Sequence, residues 1–258
     1  MTEPWEDSMA MLARLAPIDG PPVPAYYRLQ ETLRKKIEEM RWRPGEAIPS
    51  ERLIAEEYGL SVGTVKKALG NLVYEGYLFR VQGKGTFVSG TTLRRGSLRY
   101  YRMMESFADE EADLRVSLLG ISLIEGFEPA CSLLGLPVKR RLFELRRLFL
   151  SGDVPMVYSV SYMPESLFSG LDAFPPALFE KGTLYEAIEK HYGLPCIYNR
   201  ELLSAAQAPA DVAKILKLQP KGPLISIEMI AYTYKDMPYE YRLSWCATNR
   251  RRIYREID

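Results

Sequence analysis

From Ser61 to Lys67 the chain reads Ser-Val-Gly-Thr-Val-Lys-Lys, and from Gln82 to Gly85 it reads Gln-Gly-Lys-Gly. The first run puts a helix-capping hydroxyl, small side chains and two lysines on the opening turns of an expected helix. The second holds Lys84 between Gly83 and Gly85, which is charge at the tip of a turn whose backbone can approach a surface closely. Both suit contact with a polyanion, and neither contains a nucleophile beside a base. The chain has one histidine, His191, and three cysteines, Cys131, Cys196 and Cys246, without CxxC spacing. A disulfide framework, a zinc ribbon and a Ser-His-Asp mechanism are therefore not expected, and neither is a metal or cofactor site. His191 falls at the end of an expected helix, where the dipole favours a cation. The cysteines read as small buried apolar groups.

The elements that must position these residues follow from apolar spacing. Tyr26, Leu29, Leu33, Ile37 and Met40 recur every three or four residues, which predicts a helix ended by Arg43-Pro44-Gly45. Ser50 caps a short second helix with Leu53, Ile54 and Tyr58 as its buried stripe and Gly59 as its stop. Ser61 caps a third, with Val65, Ala68, Leu69, Leu72 and Val73 on one face and a stop at Gly76. Two helices joined by a tight glycine turn make a helix-turn-helix. Tyr77 to Val81 and Thr86 to Val88 then read as a hairpin around Gln82 to Gly85, so the front of the chain is a winged helix-turn-helix. Its third helix would enter a major groove with Ser61, Val62, Gly63, Thr64 and Lys66 as the reading positions. Lys67 would touch phosphate, and Gly83 and Lys84 the minor groove.

The polar run Ser89 to Ser97 reads as a linker, and beyond it the texture changes. Leu142 to Leu150, Met156 to Met163, Leu224 to Tyr234 and Tyr239 to Trp245 are strand-like, with Lys235 to Pro238 turning the last two into a hairpin. Helices are expected at Leu184 to Tyr192, before Gly193, and near Ala208 to Leu216. The expected fold class is α+β: an N-terminal winged helix-turn-helix and a C-terminal, mostly antiparallel sheet with helices. The expected organisation is an arm over 1–24, a DNA-binding domain over 25–89, a linker over 90–97 and a second domain over 98–258.

The 258 residues carry a formal net charge of +1, which conceals a split. Ala25 to Arg95 hold 13 Lys and Arg against 8 Glu, while the remainder holds 21 basic and 25 acidic residues. A basic front and a mildly acidic back imply different partners. No stretch approaches the roughly 20 apolar residues of a membrane-spanning helix, and a cytoplasmic protein is expected.

Three motifs in order carry a family resemblance: Pro49-Ser50-Glu51-Arg52-Leu53, Ser61 to Leu69, and Gln82-Gly83-Lys84-Gly85-Thr86-Phe87-Val88. Together they resemble the DNA-binding domain of GntR-family bacterial transcription regulators. The back half resembles the UTRA effector-binding domain of the HutC-type branch, through Arg147-Leu148, Gly152 to Pro155, Ser161 to Pro164, Gly182 to Tyr185 and Tyr239 to Arg242. The resemblance implies a chorismate-lyase-like fold that binds a small effector. It implies that Arg52 reaches DNA, that Arg147 meets the effector's anionic group, and that Phe107, Ala108, Ser161, Tyr162, Glu240 and Tyr241 line the pocket. Arg146, adjacent to Arg147, faces the other side of its strand.

The chain departs from the family pattern in places. Val62 stands where arginine is frequent, so the usual operator is in question. Phe149, Ala108 and Ser159 stand where sugar-phosphate binders often carry an arginine, a hydroxyl and a glutamate, which favours a smaller or less polar organic anion. The expected function is a sequence-specific transcription regulator, a repressor. It binds double-stranded DNA as a homodimer on an inverted repeat, and a small anionic metabolite controls it. The alternative is a lyase-type enzyme on the same fold, but fold likeness alone does not imply catalysis.

Overall fold

A computed structural model describes residues 23–91, 103–104, 114–181, 183–249 and 251–253. The front of the chain folds as three helices, α1 (Ala25–Glu38), α2 (Glu51–Tyr58) and α3 (Val62–Tyr74), followed by strands β1 (Leu78–Val81) and β2 (Gly85–Val88). Ser50 and Ser61 cap α2 and α3, their hydroxyls accepting from the amides of Leu53 and Thr64. Gly59 closes α2 in the left-handed region at φ 62°, which keeps the link to α3 to three residues, Gly59, Leu60 and the cap Ser61. Leu29, Leu33, Ile37, Ile54, Leu69 and Leu72 meet in one core. Two expected core residues lie outside it. Leu53 is 51% exposed, because on so short a helix Leu53 and Ile54 point about 100° apart and only Ile54 can face α3. Met40 lies beyond α1 at φ 57° and is exposed.

The back of the chain is built on a six-stranded sheet, antiparallel throughout, with strand order β4-β5-β6-β9-β8-β7. Its strands are β4 (Arg115–Glu125), β5 (Arg141–Ser151), β6 (Val154–Pro164), β7 (Tyr198–Gln207), β8 (Pro223–Tyr232) and β9 (Pro238–Cys246). The short strands β3 (Met103–Met104) and β10 (Arg252–Ile253) pair separately. Helices α4 (Ala130–Leu133), α5 (Ala177–Glu180), α6 (Leu184–Tyr192) and α7 (Ala210–Ile215) complete the domain. Cores on both faces cover the sheet. Phe143, Leu145, Met163 and Met229 pack under α5 and α6, with Tyr185 of α6 set against them, on one face, while Tyr158 and Val160 pack against α7 on the other. A reciprocal Thr183–Glu186 capping box starts α6, and Gly193 ends it. Cys131, Cys196 and Cys246 are buried thiols. His191 lies in the last turn of α6, its ring 4.7 Å from that of Phe174.

The two parts are joined by more than the chain between them. The turn between β8 and β9 inserts Tyr234 into the front core, its ring stacked on Tyr77 with centroids 4.1 Å apart. The Lys235 amide donates to the Glu75 carbonyl at 3.0 Å. Close by, the Thr91 amide donates to Glu189 Oε2 of α6 at 3.0 Å, and the Cys196 amide donates to Thr91 Oγ1 at 3.0 Å. Burial raises the Glu189 carboxyl above its ordinary pKa, against the lowering effect of the bonds from Thr91. The folded state therefore binds this proton more tightly than the unfolded one, so Glu189 costs stability at neutral pH and the loss shrinks as pH falls. Glu189→Gln is expected to raise the melting temperature at pH 7.5 by a few degrees. Melting curves at stepwise lower pH should show the gap to wild type closing.

Candidate nucleic-acid interface and effector site

Along the front of the molecule, the amino end of α3, the start of α2 and the wing enclose a groove of about 640 Å³. Arg52, Val62, Lys66, Gly83 and Lys84 line it, as do Arg80 and Gln82. Five of the nine residues expected to contact DNA are thus brought to one concavity. Arg80 was not among them. It is the exposed residue of β1, a cation next to the wing tip that carries Lys84. The cations are only loosely tethered: Arg80 lies 3.3 Å and Lys66 4.0 Å from Glu51, and Arg52 lies 3.8 Å from Glu56. All three are well exposed, so these pairs are weak and easily exchanged for phosphate.

The other four positions behave differently. The Ser61 hydroxyl accepts from the Thr64 amide at 3.1 Å and lies 2.8 Å from Thr64 Oγ1, so both hydroxyls serve the cap. Gly63 is exposed in the first turn, where an added Cβ would meet only Ser61 Oγ at 3.8 Å. Space therefore does not require glycine there. Lys67 points towards α1, its Nζ 3.8 Å from the centre of the Tyr26 ring. It lies outside the lining of the groove.

In the sheet, registry decides which effector candidates can act together. Arg147 of β5 pairs with Ser159 of β6, which pairs with Ser244 of β9. The next row on the same face is Leu145, Ser161 and Arg242, with Glu240 two residues along β9. Arg147, Ser161 and Glu240 therefore share the face covered by α6. Tyr162 and Tyr241 are register partners of each other on the opposite face. There the Tyr241 hydroxyl donates to Glu228 at 2.9 Å and Tyr162 packs edge-on against Phe127. The expected pocket set is thus divided by the sheet. Side chains of consecutive strand residues project to opposite sides, so Ser161 and Tyr162, or Glu240 and Tyr241, cannot line one pocket. Arg146 obeys the same alternation and sits 3.5 Å from Glu144 on the far face. Phe107 and Ala108 lie outside the described residues.

A cluster that sequence reasoning missed centres on Arg242. Arg242 Nε donates to Glu240 Oε1 at 2.9 Å, and Nη2 donates to Oε2 at 3.0 Å and to the Tyr185 hydroxyl at 2.8 Å. Tyr185 in turn donates to Glu240 Oε2 at 2.5 Å. Arg242 and Glu240 are 1% and 0% exposed. Burial alone would push the Glu240 carboxyl up. The Arg242 charge, hydrogen bonds with Ser161 and Tyr185, and the Arg147 charge outweigh it and hold the carboxyl below its ordinary pKa. The available signal was the i, i+2 spacing of Glu240 and Arg242, which puts both on one strand face.

Among the described residues there is no cluster of His, Cys, Asp or Glu that could hold a metal, and no helix long and apolar enough to cross a membrane. A family model for the UTRA domain matches residues 111–252, and one for bacterial regulatory proteins of the gntR family matches residues 25–88. The chain is 29% identical over 223 residues to the HTH-type transcriptional repressor NagR of Bacillus subtilis (strain 168), covering 86% of this chain and 90% of that one. It is 23% identical over 213 residues to the histidine utilization repressor of Klebsiella aerogenes, covering 80% of this chain and 83% of the relative. The crystal structure of PhnF from Mycobacterium smegmatis shares the fold at a TM-score of 0.53, with 22% identity over 89% of this chain and 98% of that one. The gntR-family match spans the three helices and the wing, and the UTRA match spans the antiparallel sheet that holds the buried Arg-Glu-Tyr cluster. The chain belongs to the GntR family of bacterial regulatory proteins, in the HutC-type branch that carries a UTRA domain.

Proposed function

We propose that this protein is a repressor that binds an inverted-repeat operator as a homodimer and changes its DNA affinity when a small organic anion occupies the sheet face under α6. The carrying observation is the convergence of Arg52, Lys66, Arg80 and Lys84 on one groove beside the amino end of α3. Four cations from three elements match a phosphate-lined surface, and Val62 among them offers a methyl contact to thymine in place of a guanine-gripping arginine. One monomer supplies few base contacts, so two copies on a two-fold site are required for specificity. Residues 25–89 form the DNA-binding domain, and 98–258 the effector-binding and dimerising domain. The protein acts in the cytoplasm. The names of the relatives as repressors support the sign of regulation.

The joint at Tyr234 supplies a route for control. Strand β9 begins just after the turn that holds Tyr77 and carries Glu240 and Arg242 within its length. A ligand that shifts β9 therefore moves the support of the DNA-binding domain. A coupling of about 1 to 3 kcal/mol would change operator affinity roughly 5- to 150-fold.

Selection from a random duplex pool tests the reading. The purified protein should enrich a two-fold symmetric sequence, and failure to enrich any sequence at low salt would overturn it. Tyr234→Ala should leave the selected sequence unchanged but uncouple the domains. Calorimetry would then show two separate transitions, and a single cooperative transition in the variant would refute the proposed linkage.

A further inference from the structure

Glu240 is a fully buried carboxylate on the face assigned to the effector, in a position where it could accept hydroxyl groups from a polyol. In this chain it is already engaged. Arg242 grips it through Nε at 2.9 Å and Nη2 at 2.8 Å and 3.0 Å, and Tyr185 adds a donor at 2.5 Å. Arg242 Nε also lies 3.3 Å from Ser161 Oγ. A ligand hydroxyl could reach Glu240 only by breaking a dry, two-pronged ion pair, and removing a partner from such a pair weakens a site by about 100-fold or more.

One row further along the sheet, the surroundings change. Ser159 is fully buried, and among the described residues its Oγ has no hydrogen-bond partner. It stands between Arg147 and Ser244 in register. The next residues on that face, Phe149 and Val157, are register partners and belong to an apolar cluster with Met103 and Ile227, while the Arg147 guanidinium lies 5.4 Å from the centre of the Phe149 ring at the edge of that cluster. A single unsatisfied hydroxyl at the edge of an apolar patch suits a ligand with one polar head and a hydrocarbon body.

We infer that Arg242 is a specificity-determining residue that withdraws Glu240 from ligand recognition, so the site takes a small monocarboxylic acid with an apolar body and not a polyhydroxylated sugar acid or sugar phosphate. The inference rests on reading this sheet face as the effector site. Arg242 is a positioning residue here: it acts on the ligand through Glu240 and does not touch it.

Hexanoate and gluconate share a six-carbon skeleton and a carboxylate and differ only in hydroxyl groups, so titrating both into the full chain isolates the claim. Hexanoate is expected to bind at least 10-fold more tightly than gluconate or glucosamine 6-phosphate. The double variant Glu240→Leu/Arg242→Met, which replaces the pair by apolar groups of similar bulk, should bind hexanoate within about threefold of wild type. Arg242→Ser, provided circular dichroism shows it folded at 25 °C, should narrow the preference over gluconate by about 10-fold. Tighter binding of gluconate or glucosamine 6-phosphate by wild type, loss of hexanoate binding in the double variant, or no binding of any of the three would each overturn the inference. Operator selection by the same preparation reports separately whether the regulator reading stands.

Discussion

Replacing Lys66, Arg80 and Lys84 together by alanine is expected to lower affinity for the selected operator roughly 100-fold at 0.15 M salt. Each of the three cations lines the groove beside α3, and each is exposed, so that Lys66 and Arg80 can trade Glu51 for a phosphate and Lys84 can meet one at the wing tip. A phosphate contact releases about 0.9 counterion, so three lost contacts reduce the slope of log K against log salt by about 2.7. Extrapolated from 1 M to 0.15 M, that slope change is the expected 100-fold. Binding measured at four or five salt concentrations checks both figures. A weakened variant whose slope matches wild type would show that these side chains act through folding and not through phosphate. The ranking of operator sequences should survive, because phosphate contacts position the protein and carry little sequence information.

The second large effect concerns stability. Arg242→Met is expected to destabilise the effector domain by about 3–5 kcal/mol, because it leaves Glu240 charged, buried and short of its principal partner. That corresponds to a melting temperature lower by on the order of 10 °C. The sign with pH follows from the same cluster. The folded-state pKa of Glu240 is held below its unfolded value, so the wild-type pair contributes its stability above the ordinary carboxylate range. The contribution is lost as pH falls through the lowered folded value. In Arg242→Met burial dominates and the carboxyl should rise, so the variant gains relative to wild type on acidification. Melting curves from pH 4 to 8 test this, and a gap that widens towards acid would contradict the assignment. Glu240→Leu combined with Arg242→Met should recover most of the loss.

Local signals made the element ends legible. Ser50, Ser61 and Thr183 cap helices through their own hydroxyls, and Gly59 and Gly193 end them in a conformation that costs glycine nothing. The four central strands were legible because buried strands are rich in β-branched and aromatic residues. The two edge strands, β4 and β7, were not, because half-exposed edges mix Ser, Gly, Gln and Glu with the apolar residues. Motif spacing singled out five of the residues that line the groove beside α3, but Lys67 lies outside it, since a one-residue step along a helix turns a side chain about 100° and sets it over Tyr26. On the sheet, alternation should have excluded Tyr162 and Tyr241 from the face of Ser161 and Glu240. The burial of Tyr234 had no local signal, because a turn residue that completes another domain's core is visible only in three dimensions.

That shared tyrosine bears on anyone wishing to rebuild the molecule from parts. Transplanting the front three helices and wing onto a different sensor would strip the face of Tyr77 and leave the Glu75 carbonyl without its donor from Lys235. A functional chimera must therefore carry the β8–β9 hairpin tip along with the DNA reader, which makes the workable cut point a pair of positions in the chain and not one.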